Sequence, residues 1–326
     1  MIKKKMILKT SIVIIMIIIL LYLLVWAGTM RCKNIPGMCS LYWGTQTLIT
    51  GKQQPSILIV YSPSDLDGLG NPYLLQKNIR DNKTIGMNVR LENINYLSEE
   101  KLKNEAMVIV TRSRKISTPK LEMFINYVST GGRLVWIGDA GIEAETNQDT
   151  LATKGDLEGS YDSNVISGWA RIDSENYIIR FDNFLGVNYI ANYCQIKDCD
   201  EKTYDVSSGI EISYKKPKTS NGVLIPSSDH RMVYGLRSYL EIKDDFAIVQ
   251  TLKPMTTPLK LDYGSKLFSE EKIAYGNSDG VFPLIVLSNS NKVAYYAIPP
   301  EYLIEDDDKD KYISILENMM YGMLKW

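Results

Sequence analysis

The sequence predicts an α/β fold on a mostly parallel sheet with helices on both faces, and three observations carry that prediction. The stretch Ser117–Gly141 spells a helix, its stop and a buried strand in succession. Short apolar runs alternate with helix-like segments throughout the first half, the pattern of strands joined by right-handed helical crossovers. The turn Gly138-Asp139-Ala140-Gly141 leaves the carboxyl end of the last of those strands, the edge at which such sheets bind ligands.

The amino terminus comes first. Lys3, Lys4, Lys5 and Lys9 precede an uncharged run from Thr10 to Met30 that is almost wholly Ile, Leu, Val, Met and Trp from Ile12 onward. As a helix that run would reach about 31 Å, enough for a hydrocarbon core of about 30 Å. The lysines outnumber Arg31 and Lys33 on the far side, so the positive-inside rule keeps residues 1–9 in the cytoplasm and puts the rest outside. The expectation is a single-pass cell-membrane protein anchored in the lipid bilayer by residues 10–30, with an extracytoplasmic body. A cleaved signal peptide competes with it, because Val25-Trp26-Ala27 is a tolerable cleavage pattern. Residues 31–55 mix aromatics and cysteines with turn formers and read as an ordered neck.

The body, 56–326, opens with a strand at Ile57–Tyr61 and the turn-rich SPSDLDGLGNP. A helix near Tyr73–Asn82, a strand at Met87–Leu91, a short helix at Ser98–Lys103 and a strand at Ala106–Thr111 follow. Thr118 can cap the next helix, Pro119 suits its first turn, and Leu121, Phe124, Ile125 and Val128 make one apolar face. Gly131 and Gly132 stop it, and Leu134–Ile137 reads as a strand covered on both faces. Residues 143–177 turn polar and read as a loop or lid over the sheet edge. Ile178–Val187 reads as a short helix, and later strands at Ile210–Tyr214, Phe246–Leu252 and Leu259–Tyr263 make a mixed β-rich region inserted at about 143–280. A hairpin of PLIVLSN from Pro283 and KVAYYAIPP from Lys292, turning at Ser290-Asn291, and a helix through Ile313, Leu316 and Met320, led in by Glu305–Asp308, complete the chain.

Composition narrows the function. With 37 basic and 38 acidic residues the net charge is −1, which supplies no phosphate-binding excess and argues against nucleic acid. Cys32 and Cys39, and Cys194 and Cys199, form two local pairs, and in an oxidising compartment two local disulfides are the simplest of the three pairings. Zinc fits poorly, since neither pair is C-x-x-C and the only histidine, His230, is distant in sequence. No metal and no cofactor is expected.

Asp139 is the first candidate for ligand binding, as a carboxylate on the sheet-edge turn; its bland alternative is a cap on that turn. Arg112 and Arg114 follow the third strand and could clamp a carboxylate or phosphate, and Asp65 follows the first strand. His230 could act as a base, but no nucleophile motif accompanies it. The 21 tyrosines could serve a sugar-binding or protein-binding surface, and Asn82-Lys83-Thr84 is one glycosylation sequon.

Four segments carry a resemblance. NYVSTGGRLVWIGDAG, NFLGV at 183–187, HRMVYGL at 230–236 and NKVAYYAIPPEYL near the carboxyl end, in that order over 56–326, resemble the class I glutamine amidotransferase-like superfamily. The likeness is to its non-catalytic, membrane-associated branch, such as gliding-motility-type ABC-transporter accessory proteins. It implies a flavodoxin-like sheet and a protein partner in a membrane complex. Active members carry a nucleophilic cysteine in the turn that here reads Gly138-Asp139-Ala140-Gly141, and no cysteine lies between 40 and 193. Classical glutaminase chemistry is therefore not expected, and the expectation is a pseudoenzyme that binds or scaffolds in a membrane or cell-envelope complex. A small-molecule or sugar ligand stays open as a second kind of partner. The alternative is a hydrolase of a sugar or cell-surface polymer that uses Asp139 and a neighbouring carboxylate.

Overall fold

The computed structural model describes residues 2–27, 35, 38–50, 56–81, 87–145, 149–161, 163–196, 199–206, 210–217, 221–226, 230–236, 239–241, 244–252, 256–262, 281–304 and 309–324. The Asn82 sequon, Cys32 and the acids Glu305–Asp308 lie outside them, as does the side chain of Cys39.

Helix α1 (Ile2–Trp26) is followed by α2 (Met38–Thr50), so the described part of the neck is helical apart from Ile35. The two pack through Val25, Met38, Leu21 and Tyr22; the Tyr22 and Tyr42 rings lie 5.8 Å apart and Thr45 Oγ1 bonds Tyr22 Oη at 2.8 Å. Every side chain of α1 from Ile12 to Leu20 is exposed, as are Leu23 and Trp26. Among the described residues no helix is long and apolar enough to cross a membrane; residues 28–30 of the expected anchor lie outside them.

The body alternates as expected: β1 (Ser56–Tyr61), α3 (Pro72–Asp81), β2 (Asn88–Asn93), α4 (Glu99–Lys103), β3 (Met107–Val110), α5 (Thr118–Ser129) and β4 (Leu134–Ile137). Then come β5 (Thr150–Leu151), α6 (Lys154–Glu158), β6 (Ala170–Ile172), β7 (Ile178–Arg180), α7 (Phe181–Leu185), β8 (Val187–Asn192) and α8 (Tyr193–Ile196). Strands β9 (Cys199–Val206), β10 (Ile210–Pro217), β11 (Asn221–Pro226), β12 (Tyr239–Glu241), β13 (Ala247–Thr251), β14 (Thr256–Asp262), β15 (Val281–Ser288) and β16 (Val293–Tyr296) follow. The 3-10 turn Pro300–Ile304 and α9 (Lys309–Leu324) end the described chain.

One nine-stranded sheet, ordered β12-β11-β14-β15-β16-β4-β3-β1-β2, organises these elements. From β2 to β16 every neighbour pair is parallel, and from β16 to β12 every pair is antiparallel. The parallel half therefore runs 2-1-3-4 and then β16, the flavodoxin-like order, whose reversal between β1 and β3 opens the switch-point crevice. Its strands carry continuous apolar runs because helices cover both faces: all four residues of β3 and of β4 are buried.

Local chemistry departs from the sequence reading in three places. Ser117, not Thr118, is the N-cap of α5, and it makes no side-chain cap bond; the Thr118 N–H instead donates to Asp149 at 3.1 Å. Residues 143–177 are not all loop, since they carry β5 and β6, which join β7 in a small sheet, and Trp169, Ala170 and Arg171 are fully buried. Ile178–Val187 divides into strand β7, helix α7 and the start of β8, because Gly186 adopts φ 81° and ends the helix after Leu185. The two stop glycines do different work: Gly131 sits at φ 108° in open space, whereas a Cβ on Gly132 would strike the Tyr127 ring.

Cys194 and Cys199 form a disulfide with Cα atoms 5.5 Å apart, joining α8 to the base of the β9–β10 hairpin.

Candidate functional site

The turn after β4 is held from every side. Gly138 and Gly141 take φ 62° and 70°, and a Cβ on Gly138 would lie 2.7 Å from Leu69 Cβ, so glycine is required for the turn to seat there. Buried donors then occupy its carbonyls. Tyr295 Oη donates to Gly138 O at 2.8 Å, and the indoles of Trp136 and Trp169 both donate to Ala140 O, at 2.8 and 2.7 Å. Arg171 Nη2 donates to Gly141 O at 3.0 Å.

This framework turns Asp139 inward, where it is fully buried. Its Oδ1 accepts the Leu69 N–H at 2.8 Å, its Oδ2 accepts Asn192 Nδ2 at 2.8 Å, and Arg114 Nη1 stands 3.6 Å from Oδ2. Burial pushes its carboxyl above the usual range, against the opposing pull of Asn192, Leu69 and Arg114. Asp139 thus neither caps its own turn nor opens to solvent. It ties the loop after β1 to the end of β8.

The other candidates at this edge are equally occupied. Asp65 accepts the Arg114 N–H, and burial, partly offset by Arg114, raises its carboxyl. Arg112, only 3% exposed and at φ 46°, gives its guanidinium to Leu66 O at 2.9 Å and Gly70 O at 3.3 Å; burial lowers its proton affinity. Arg114 pairs with Glu143 at 2.7 Å. Burial would lower Arg114, but Asp139 and Glu143 outweigh it and raise the group. Both arginines therefore grip this chain's own carbonyls and acids. His230 stands apart: its Nδ1 accepts the Met232 N–H at 3.2 Å, in a cleft of about 410 Å³ shared with Asn291, Leu287 and Gly322. Asn291 precedes β16, so that cleft opens at the edge opposite Asp139.

Further residues at the edge escaped the sequence reading. Three consecutive amides after β1 each find an acceptor from elsewhere: Leu69 N–H on Asp139, Gly70 N–H on Tyr302 Oη at 2.9 Å, and Asn71 N–H on Glu301 Oε1 at 2.6 Å. Glu301 and Tyr302 belong to the 3-10 turn after β16, and the Pro299-Pro300 pair before them was the available signal. The switch-point crevice is filled by the chain itself. Among the described residues no group of three or more His, Cys, Asp or Glu side chains is arranged to hold a metal.

No protein-family model matches this chain, and no curated protein matches it. Solved structures similar to it include a ThuA-like protein from Bacteroides uniformis, at 15% identity and TM-score 0.47, covering 83% of this chain and 93% of that one. A GMP synthase protein from Thermoplasma acidophilum aligns at 10% identity and TM-score 0.42, covering 84% and 96%. The cytoplasmic protein STM3548 from Salmonella typhimurium aligns at 14% identity and TM-score 0.45, covering 82% and 97%. The assignment of fold rests on the strand order, not on these likenesses.

Proposed function

We propose that this chain is a membrane-anchored, extracytoplasmic binding or scaffolding protein whose body is a catalytically inactive, glutamine amidotransferase-like domain. The observation that carries the reading is the self-filled crevice. At the edge where a flavodoxin-like sheet takes its ligand, Asp139, Arg112 and the amides of Leu69–Asn71 are bonded to one another and to Glu301 and Tyr302. The turn that carries the nucleophile in active amidotransferases holds Asp139 and no cysteine. A hydrolytic acid–base pair needs at least one carboxyl in reach of substrate and water, and Asp139 is fully buried with both oxygens bonded.

The anchor reading is supported by α1, apolar around its whole circumference from Ile12 to Leu20 and exposed there, a pattern that wants lipid or protein around it. The disulfide at Cys194–Cys199 fits an oxidising compartment. The test uses the full chain in cells. Alkaline carbonate should leave it in the membrane pellet, and photo-cross-linkers placed on the exposed body should capture a discrete protein adduct. Recovery in the soluble fraction, or glutamine hydrolysis by the purified chain, would overturn the reading.

A further inference from the structure

Glu301 is a second fully buried carboxyl at the crevice, in addition to Asp139. Its Oε1 holds the Asn71 N–H at 2.6 Å, and Oε2, also buried, has no hydrogen-bond partner. Its neighbour Tyr302 takes the Gly70 N–H, so two adjacent residues of the turn after β16 fasten two adjacent amides of the loop after β1. Two ionisable groups among the described residues bear on them. Asp244, buried ahead of β13, acts on both Glu301 and Tyr302 with negative charge, and Arg112 acts on Tyr302 from the end of β3 while its hydrogen bonds go to Leu66 and Gly70.

A carboxylate in a dry interior, with one oxygen unpartnered and the charge of a second acid acting on it, is held at high cost. A proton on Oε2 removes that cost and leaves Oε1 free to keep the Asn71 bond. We propose that Glu301 is a proton-operated latch: carrying a proton, it fastens the Pro300–Ile304 turn to the Leu69–Asn71 loop and keeps the crevice shut; giving that proton to solvent, it leaves a buried charge with an unpartnered oxygen and lets turn and loop part. Burial pushes the Glu301 carboxyl up to about 7 against the pull of the Asn71 and Glu301 amides, with Asp244 adding a smaller push, so the latch works near neutral pH. Thr111 lines the same place: a Cβ on Gly70 would meet its Oγ1 and stand 3.3 Å from Glu301 Oε1, so the closed arrangement has no slack. The latch does not depend on what the body binds, so its failure and the failure of the scaffolding reading are separate results.

Hydrogen exchange read by mass spectrometry on the full chain, from pH 5.5 to 8.5 and corrected for intrinsic exchange, tests it. Peptides spanning 66–75 and 299–304 should lose protection about tenfold between pH 6 and 8 in the parent, the change expected for loss of one proton from a group near 7. Glu301→Gln, which keeps the acceptor but cannot ionise, should change less than about twofold over that range. Asp244→Asn removes the smaller, repulsive push on Glu301 and should move the midpoint to lower pH, which keeps the test open if the glutamine variant folds poorly. Flat protection in the parent, a glutamine variant that follows the parent profile, or an unmoved midpoint in Asp244→Asn overturns the latch.

Discussion

Asp139 and Leu69, 70 positions apart, are joined by a 2.8 Å bond from the Leu69 N–H to a fully buried carboxylate. The same carboxylate takes Asn192 Nδ2, so one side chain fixes the loop after β1 and the end of β8 on the turn after β4. Removing it leaves a buried amide and a buried carboxamide without their acceptor. Asp139→Ala should cost about 3 kcal/mol in urea unfolding, the scale for breaking a buried, charge-assisted network. In a double-mutant cycle with Asn192→Ala the losses should fall short of additive, since both remove one bond. A loss within about 0.5 kcal/mol of zero would mean that Asp139 is not structural.

Gly70 is the second fixed point. It sits at φ 107°, and a Cβ there would strike Thr111 Oγ1. Gly70→Ala should destabilise by about 2 to 4 kcal/mol, combining the positive-φ strain with the collision. Adding Thr111→Ala should recover the steric share but not the backbone share. A double variant no better than the single would place the whole cost in the backbone, and one restored to parent stability would show that φ is unimportant there.

The disulfide makes a third, separate prediction. Cys194 and Cys199 are five positions apart, a short loop, so the chain-entropy argument gives about 2 kcal/mol of stabilisation. Replacing both by serine should lower stability by that amount in oxidising buffer. The same variant and the parent should unfold alike once reductant is added, and a difference that persists in reductant would point to lost packing at Cys194, which is buried.

The fold was legible in the sequence where local pattern and burial agree. Ile57–Tyr61, Met107–Val110 and Leu134–Ile137 are apolar throughout because both faces are covered, and each became a parallel strand. The strand that completes the parallel half was not legible in the same way. Val293–Tyr296 reads as one arm of a hairpin, and it is one, but its other edge pairs with Leu134–Ile137 across more than half the body. Trp169 and Arg171 were hidden inside a polar segment, since a few buried residues among many exposed ones leave no periodicity. At the site, Asp139, Asp65, Arg112 and Arg114 were recognised by their place after strands. Glu301 and Asn192 were not, because what defines them is a bond to a residue 230 or 53 positions away.

The last prediction concerns stability against pH, and its sign follows from Glu301. Burial, against the pull of the Asn71 and Glu301 amides and with a smaller push from Asp244, raises its carboxyl from 4.5 to about 7 in the folded chain, while in the unfolded chain it titrates near its ordinary value. Below about 4.5 both states carry the proton and this contribution is intact. Between about 4.5 and 7 only the folded state keeps the proton, so stability falls as pH rises, by up to about 3 kcal/mol in all, and levels off once the folded group also ionises. Glu301→Gln has no proton to lose. Its stability relative to the parent should therefore climb from pH 5 to pH 7.5 and then hold steady in urea titrations at each pH. Asp139 and Asp65 are raised in the same direction, but they remain in both proteins and cancel in the difference. A difference that does not vary with pH would mean that Glu301 keeps one protonation state throughout, and that no proton is exchanged at the turn after β16.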